Sequence, residues 1–173
     1  NENYHSRFTN TYNYGYMAFN CRPDGVEHKK LFDDKRVRRA VAMLISVDEF
    51  NIVLNNGKNT RMVGPVSPLK KEYNSDLPLI ERDLEGAKKL LEEAGWTDTD
   101  GDNVLDKVID GEKLSFEFDL AYMTTSVTWK DQAQMIAEAV YEAGLKCNIS
   151  PLDFAIHYDN ARNHKFDAML AAW

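Results

Sequence analysis

The stretch Asp83–Lys107, DLEGAKKLLEEAGWTDTDGDNVLDK, constrains the fold most tightly, because both ends of a helix are marked within it. Asp83 is placed to cap the first turn by accepting a hydrogen bond from an otherwise orphan backbone N–H. Glu85 follows where the helix dipole favours an anion. Leu84, Ala87, Leu90, Leu91 and Ala94 recur three and four apart and form one apolar stripe, with Lys88, Lys89, Glu92 and Glu93 on the wet side. Gly95 supplies the positive φ that ends such a helix. A helix with one apolar stripe needs a partner surface, so the chain must build a layered core.

The acidic turn after this helix raises a metal question. Asp98, Asp100, Asp102 and Asp106 fall at positions 1, 3, 5 and 9 of a calcium loop of the EF-hand type, with Leu105 at the apolar position 8. The bend position holds Asn103 instead of glycine, and the bidentate position holds Ile109 instead of glutamate. Two of the oxygens a calcium ion needs are therefore missing. A solvated Asp/Gly/Asn turn between a helix and a hairpin is the favoured reading, with a calcium-responsive module on these four aspartates as the alternative.

Periodicity elsewhere alternates between strand and helix. Tyr12–Asn20 reads as a strand covered on both sides, and Cys21–Lys30, with Pro23 and Gly25, as a loop. Asp33 or Asp34 caps a helix whose buried stripe is Val37, Val41, Leu44 and Ile45; near Ser46 a second helix starts, running through Phe50, Val53 and Leu54 and ending near Gly57. Thr60–Pro78 is a long loop that must be functional or tied down by packing. Leu114, Phe116, Phe118 and Leu120 alternate as one strand running into Tyr122–Ser126. Thr128 caps a helix through Trp129, Ala133, Ile136, Val140 and Ala143, closed by Gly144. Lys146–Ser150, Phe154–Asn163 and Phe166–Trp173 then read as strand, helix and strand. The succession predicts an α/β fold with a mixed, partly parallel sheet flanked by helices, in a single unit over residues 1–173.

Composition excludes several classes. A net charge of −7 argues against nucleic acid or an anionic membrane as a partner, and no apolar run is long enough to span a bilayer. Cys21 and Cys147 are too few for a disulfide scaffold and could pair only from neighbouring strands. His5, His28, His157 and His164 read as surface histidines, with His157 and His164 able to share a helix face but lacking a third ligand between them. Neither a GxSxG elbow nor a phosphate-cradling glycine loop is present, and no feature supports a hydrolase or a cofactor. The aromatics are the remaining signal. Tyr122, Phe154 and Trp173 stand at strand ends or a helix start, where open α/β sheets place ligands.

Three segments in this order, YGYMAFN followed by LFDDKRVRRAVAMLISVDEF, then DLEGAKKLLEEAGWTDTDGDNVLDK, then KFDAMLAAW, resemble the extracytoplasmic solute-binding proteins of peptide and nickel ABC transporters. The resemblance implies the C-terminal ligand-binding lobe of a two-lobe protein, periplasmic or at the cell surface, secreted or lipid-anchored, monomeric and not an enzyme. It implies capture of a peptide or related solute by hinge closure and delivery to the membrane permease. It further implies ligand contacts from Tyr122, Met123 and Thr124, from the helix with Phe154, Tyr158 and Arg162, and from Trp173. In the peptide binders an acidic residue for the peptide amino terminus follows three positions beyond that tryptophan. Where some carry an arginine for the peptide carboxylate, this sequence has Leu170, and Arg162 is a possible substitute. Relatives of this kind take nickel complexes, haem or oligosaccharides as well as peptides.

Overall fold

The structure, a computed structural model, describes residues 9–22 and 28–173. His5 and most of the loop after Cys21 lie outside the described residues. Among the described residues, six strands and five helices follow in the order β1 (Gly15–Phe19), α1 (Lys35–Leu44), α2 (Val47–Asn55), α3 (Leu84–Glu93), β2 (Asp106–Ile109), β3 (Glu112–Ser115), β4 (Glu117–Met123), α4 (Val127–Tyr141), β5 (Lys146–Leu152), α5 (Phe154–Arg162) and β6 (Ala168–Ala172).

The main sheet has the order β1-β6-β4-β5. β4 runs parallel to both β5 and β6, and β1 closes the other edge antiparallel to β6, so the sheet is mixed and partly parallel as expected. From β4 to β5 the chain crosses in one direction through α4. From β5 to β6 it crosses back over β4 through α5. Right-handed connections in opposite directions place the two helices on opposite faces. On the α4 face, Phe118, Leu120 and Tyr122 meet Val37, Val41 and Leu44 of α1 and Ala133, Ile136 and Val140 of α4 in one buried cluster. Ala121 and Met169 are also buried, on the alternate face that α5 covers.

The capped helix packs as its stripe requires: Asp83 Oδ1 accepts from the Gly86 N–H at 2.9 Å, and Ala87 and Leu91 are buried against α1. Gly95, at φ +86°, turns the chain so that Trp96 sits 4.5 Å from Phe116, ring to ring. Phe32 stacks edge-on to Phe116 and Phe118, completing a buried aromatic group.

Several expectations are corrected. β1 starts at Gly15, not Tyr12, and is a half-buried edge strand instead of one covered on both sides. Of the two candidate caps of α1, Asp34 is the one that serves. Of the apolar residues of α2 only Phe50 packs on the core, and Ile52 and Val53 face solvent. The run Leu114–Leu120 is two strands: β3 pairs with β2, and β4 joins the main sheet. The switch falls at Phe116, whose N–H donates to Leu105 at 2.6 Å and whose carbonyl accepts from Lys146 at 2.9 Å, because its ring is drawn into the aromatic group. α4 begins a residue before Thr128, after Ser126, whose side chain makes no capping bond. The loop 60–78 is pinned at its start by Arg61, which pairs with Asp48 and Glu81 and donates to the Ile80 carbonyl.

The cysteines cannot pair. Cys21 follows β1 and Cys147 lies in β5, at opposite edges of the sheet. Three strand spacings, about 14 Å, separate those edges, twice what a disulfide spans. Burial pushes the Cys147 thiol up to about 12, with Asp119 adding to the effect.

Candidate functional site

β4, β5 and β6 all end at one edge of the sheet, and antiparallel β1 begins there. Four chain segments meet along this edge. The Thr124 N–H donates to the Leu152 carbonyl at 3.0 Å, tying the segment after β4 to the end of β5. Tyr14 and Trp173 exchange backbone bonds of 2.8 and 3.0 Å. Asp153 caps α5 by accepting from the Ala155 N–H at 2.9 Å, so the helix starts where β5 stops.

That cap sets the first turn of α5, and the (i, i+4) spacing then brings Phe154 and Tyr158 together. Their rings stack at 6.2 Å and 18°, and they are 58% and 57% exposed. Trp173 is 73% exposed at the same edge. Beside it lies a cleft of 460 Å³ lined by Tyr14, Tyr16, Met62, Val63, Pro65 and Trp173. A larger hollow of 580 Å³, between the end of α3, the acidic turn and the end of α4, is bounded by Lys88, Glu92 and Tyr141. It lies on the scaffold, away from the strand ends and their aromatics.

The expected site residues are only partly gathered. Phe154, Tyr158, Met123, Thr124 and Trp173 lie along the strand-end edge. Tyr122 is 6% exposed and belongs to the core cluster beneath it. Arg162 is exposed in the last turn of α5, about 12 Å along the helix from Phe154. That turn lies toward the opposite edge, where Asn20 at the far end of β1 donates to the His164 carbonyl at 3.0 Å. Tyr14, Tyr16, Met62 and Pro65 were not expected at the site. The tyrosine alternation leading into β1 was a signal for the first two; the loop residues carry none.

The histidines differ from expectation. His157 is buried at 5% exposure, with Nε2 3.1 Å from the Leu170 carbonyl, and burial holds its ring below the ordinary histidine value against the opposing effect of that bond. His164 lies beyond α5 at φ +55°, so the two share no helix face. The His28 side chain is also buried; its Nε2 lies 2.8 Å from Asp33 Oδ1 but without the alignment of a hydrogen bond, so proximity alone describes the pair.

The acidic turn gathers Asp98, Asp100 and Asp106, but not Asp102. Asp98 accepts from the Gly101 and Asn103 N–H groups, and Asp102 from that of Val104. Thr99 binds both oxygens of buried Asp106, and Lys113 Nζ reaches Asp100 at 2.6 Å and Asp106 at 3.2 Å. The hydrogen bond from Lys113 lowers the Asp100 carboxyl, and those from Thr99 lower that of Asp106. Local amides and one ammonium thus satisfy this turn, and nothing supports its reading as a calcium site.

All 173 residues match the family described as bacterial extracellular solute-binding proteins, family 5 Middle. The chain belongs to that family. This family 5 chain is 31% identical over 164 residues to the oligopeptide-binding protein AppA of Bacillus subtilis, covering 92% of its own length and 28% of the relative. The solved structure of that protein in complex with a nonapeptide matches it with a TM-score of 0.83 at 30% identity, over 94% of this chain and 31% of the other. An oligopeptide-binding protein from Thermus thermophilus, complexed with a pentapeptide, has a TM-score of 0.85 at 21% identity, over 93% and 28% of the two chains, a likeness of fold. The chain spans less than a third of the length of these relatives. No helix among the described residues is long and apolar enough to cross a membrane.

Proposed function

We propose that residues 1–173 form one ligand-binding lobe of an ABC-importer solute-binding protein, which captures a peptide or related solute against a second lobe and delivers it to the membrane permease. One observation carries this reading. A chain that buries Phe32, Trp96, Phe116 and Phe118 leaves Phe154, Tyr158 and Trp173 uncovered along a single edge. Exposed flat rings grip side chains of many kinds by area and edge contacts, which suits a binder of varied peptides. The bound peptides of the two relatives named above support the same class of solute.

Leu170 is buried, so β6 offers no cation there for a short peptide's carboxylate. Aromatic and backbone contacts with longer peptides follow from that. Phe154, Tyr158, Trp173, Met123 and Thr124 are the residues we assign to contact; Tyr122 supports them from the core, and Arg162 stands apart. The protein works outside the cytoplasmic membrane as a monomer, without catalysis and without nucleic acid, consistent with a net charge of −7 and a family of transport components.

Alone, this lobe supplies half of an enclosing surface, so its grip is weak. Calorimetry with a mixed peptide pool, read beside Trp173 fluorescence, is expected to show dissociation constants of about 0.1–1 mM. No response up to about 10 mM would remove the binding role, and submicromolar affinity would show that no facing lobe is needed.

A further inference from the structure

His157 occupies a place that the packing alone would give to an apolar residue. It is 5% exposed beneath α5, and burying a polar ring costs free energy unless its bond has a use. The backbone bonds between β1 and β6 show what the bond is for. Trp173 exchanges two of them with Tyr14, and Asp167 accepts from Asn20 at 2.8 Å. Antiparallel bonding alternates, so Ala171 and Met169 also face β1, whereas Leu170, opposite Met17, turns its carbonyl to the β4 side. On that side the ladder has already stopped: β6 pairs with β4 only at Leu120↔Ala168 and Ala121↔Met169. Leu170 thus bears a buried carbonyl just where β6 parts from β4, and the His157 ring fills the place a strand would have taken.

A carbonyl can only accept, so Nε2 carries the proton and Nδ1 is bare in the neutral ring. Among the described residues this is the one side-chain hydrogen bond between the body of α5 and the main sheet. It joins the turn that carries Phe154 and Tyr158 to the strand that leads into Trp173. We propose that His157 is a pH-sensitive positioning residue, which bridges the split between β4 and β6 and sets the aromatic pair of α5 against Trp173. A second proton leaves the Nε2–H bond to the Leu170 carbonyl in place but puts an uncompensated charge in a buried site, which destabilises that arrangement. The positioning can be read without any ligand; its consequence for solute capture rests on the binding role proposed above.

No charged group nearby offsets that second proton. On β4, Glu117 is held by Asn148 and Lys146 at the far end, and Asp119 lies toward Cys147. β6 has no ionisable side chain, and Asp167 before it pairs with Lys29. On α5 itself, Asp153 is engaged as the cap, Asp159 accepts from Asn163, and Arg162 is exposed. Burial lowers the His157 ring from its ordinary 6.5, and the Leu170 bond opposes this in part. With the folded value below the unfolded one, the unfolded chain binds more protons. The stabilisation is therefore present above 6.5 and lost as pH falls toward the folded value.

Ring-nitrogen and amide NMR on the ligand-free chain tests this. The His157 ring is expected as the Nε2–H tautomer, and the amides of Phe154–Tyr158 and Leu170–Trp173 should shift together with its titration below 6.5. His157→Gln, whose amide nitrogen can donate to the same carbonyl, should keep the neutral-pH resonances and abolish their titration. His157→Leu keeps apolar bulk but should move those resonances and speed first-turn amide exchange in α5 by up to about tenfold. A ring that titrates without moving Phe154, Tyr158 and Trp173, or a leucine variant indistinguishable from the glutamine one, would overturn the proposal. If both variants unfold, the titration of the unaltered chain decides alone. Coupling seen by NMR in a chain that binds no peptide would remove the binding role and leave the positioning role standing.

Discussion

Two groups of aromatic rings divide this molecule. Phe32, Trp96, Phe116 and Phe118 are buried where α1, α3 and β4 meet, while Phe154, Tyr158 and Trp173 stand open at the strand-end edge. The residue types are similar; the spacing of their neighbours differs. In the first group Phe118 stands at strand periodicity and Phe32, Trp96 and Phe116 join it from segments next to α1, α3 and β4, so each ring finds a closed pocket. The second sits on the first turns of α5 and just past β6, where no partner layer follows. Rings of the first kind hold the fold together, and rings of the second kind stay exposed at the edge where the proposed binding role puts a ligand.

Truncation should separate the two groups most sharply. Phe116 is fully buried and touches Trp96, Phe32 and Phe118, so Phe116→Ala removes both transfer energy and packing. Chemical denaturation is expected to show a loss of about 3–5 kcal/mol, enough to unfold a marginal domain. Phe154→Ala should change stability by less than about 0.5 kcal/mol, because its ring already faces water. The same variant should weaken peptide-pool binding by at least about tenfold in calorimetry. Equal destabilisation by the two substitutions would erase the distinction, and unchanged binding in Phe154→Ala would move the ligand surface elsewhere.

Much of the core around the buried group was readable from periodicity, and the open group only from position. Alternation and helical stripes placed Phe118, Leu120, Val37, Val41, Ala87 and Leu91 in the core without any tertiary knowledge. They also gave the partly parallel sheet. Periodicity failed where long-range packing took over. Phe116 keeps the alternation of a single strand, yet its ring is pulled into the aromatic group and the strand breaks there. α2 shows helical apolar spacing, but among the described residues nothing covers Ile52 or Val53. His157 escaped for a further reason: its role depends on where two strands separate, which no local pattern encodes.

Caps carry a smaller, electrostatic part of the buried half. Asp34 accepts from the Arg36 N–H at 2.8 Å and pairs with the Arg36 guanidinium at 2.6 Å. Arg36 holds its carboxyl down at about 2, below the usual 3.8. A lowered folded value means stabilisation present above 3.8 and lost as pH falls through about 2. Asp34→Asn keeps a capping oxygen but loses the charge. The pair is partly wet, so the variant should be less stable than the parent by at most about 1 kcal/mol at neutral pH. Denaturation curves near pH 2 should bring the two together, and a gap that widens in acid would contradict the assigned cause.

The smallest effect should come from the feature that looked most chemical in the sequence. Four aspartates at calcium-loop spacing predict strong stabilisation by the ion if they act as ligands, since saturation at about a hundred times the dissociation constant adds about 2.7 kcal/mol. The fold spends them differently. Asp98 and Asp102 turn the backbone, Asp106 is buried under Thr99, and the Lys113 ammonium already lies between Asp100 and Asp106. An entering cation would have to displace that ammonium and would find no bidentate glutamate, because position 12 is Ile109 in a strand. Thermal melts of chelator-treated protein with and without millimolar calcium should therefore coincide. A rise of several degrees would show that the turn can exchange its lysine for a metal, and the division between a finished scaffold and an open edge would no longer hold at this point.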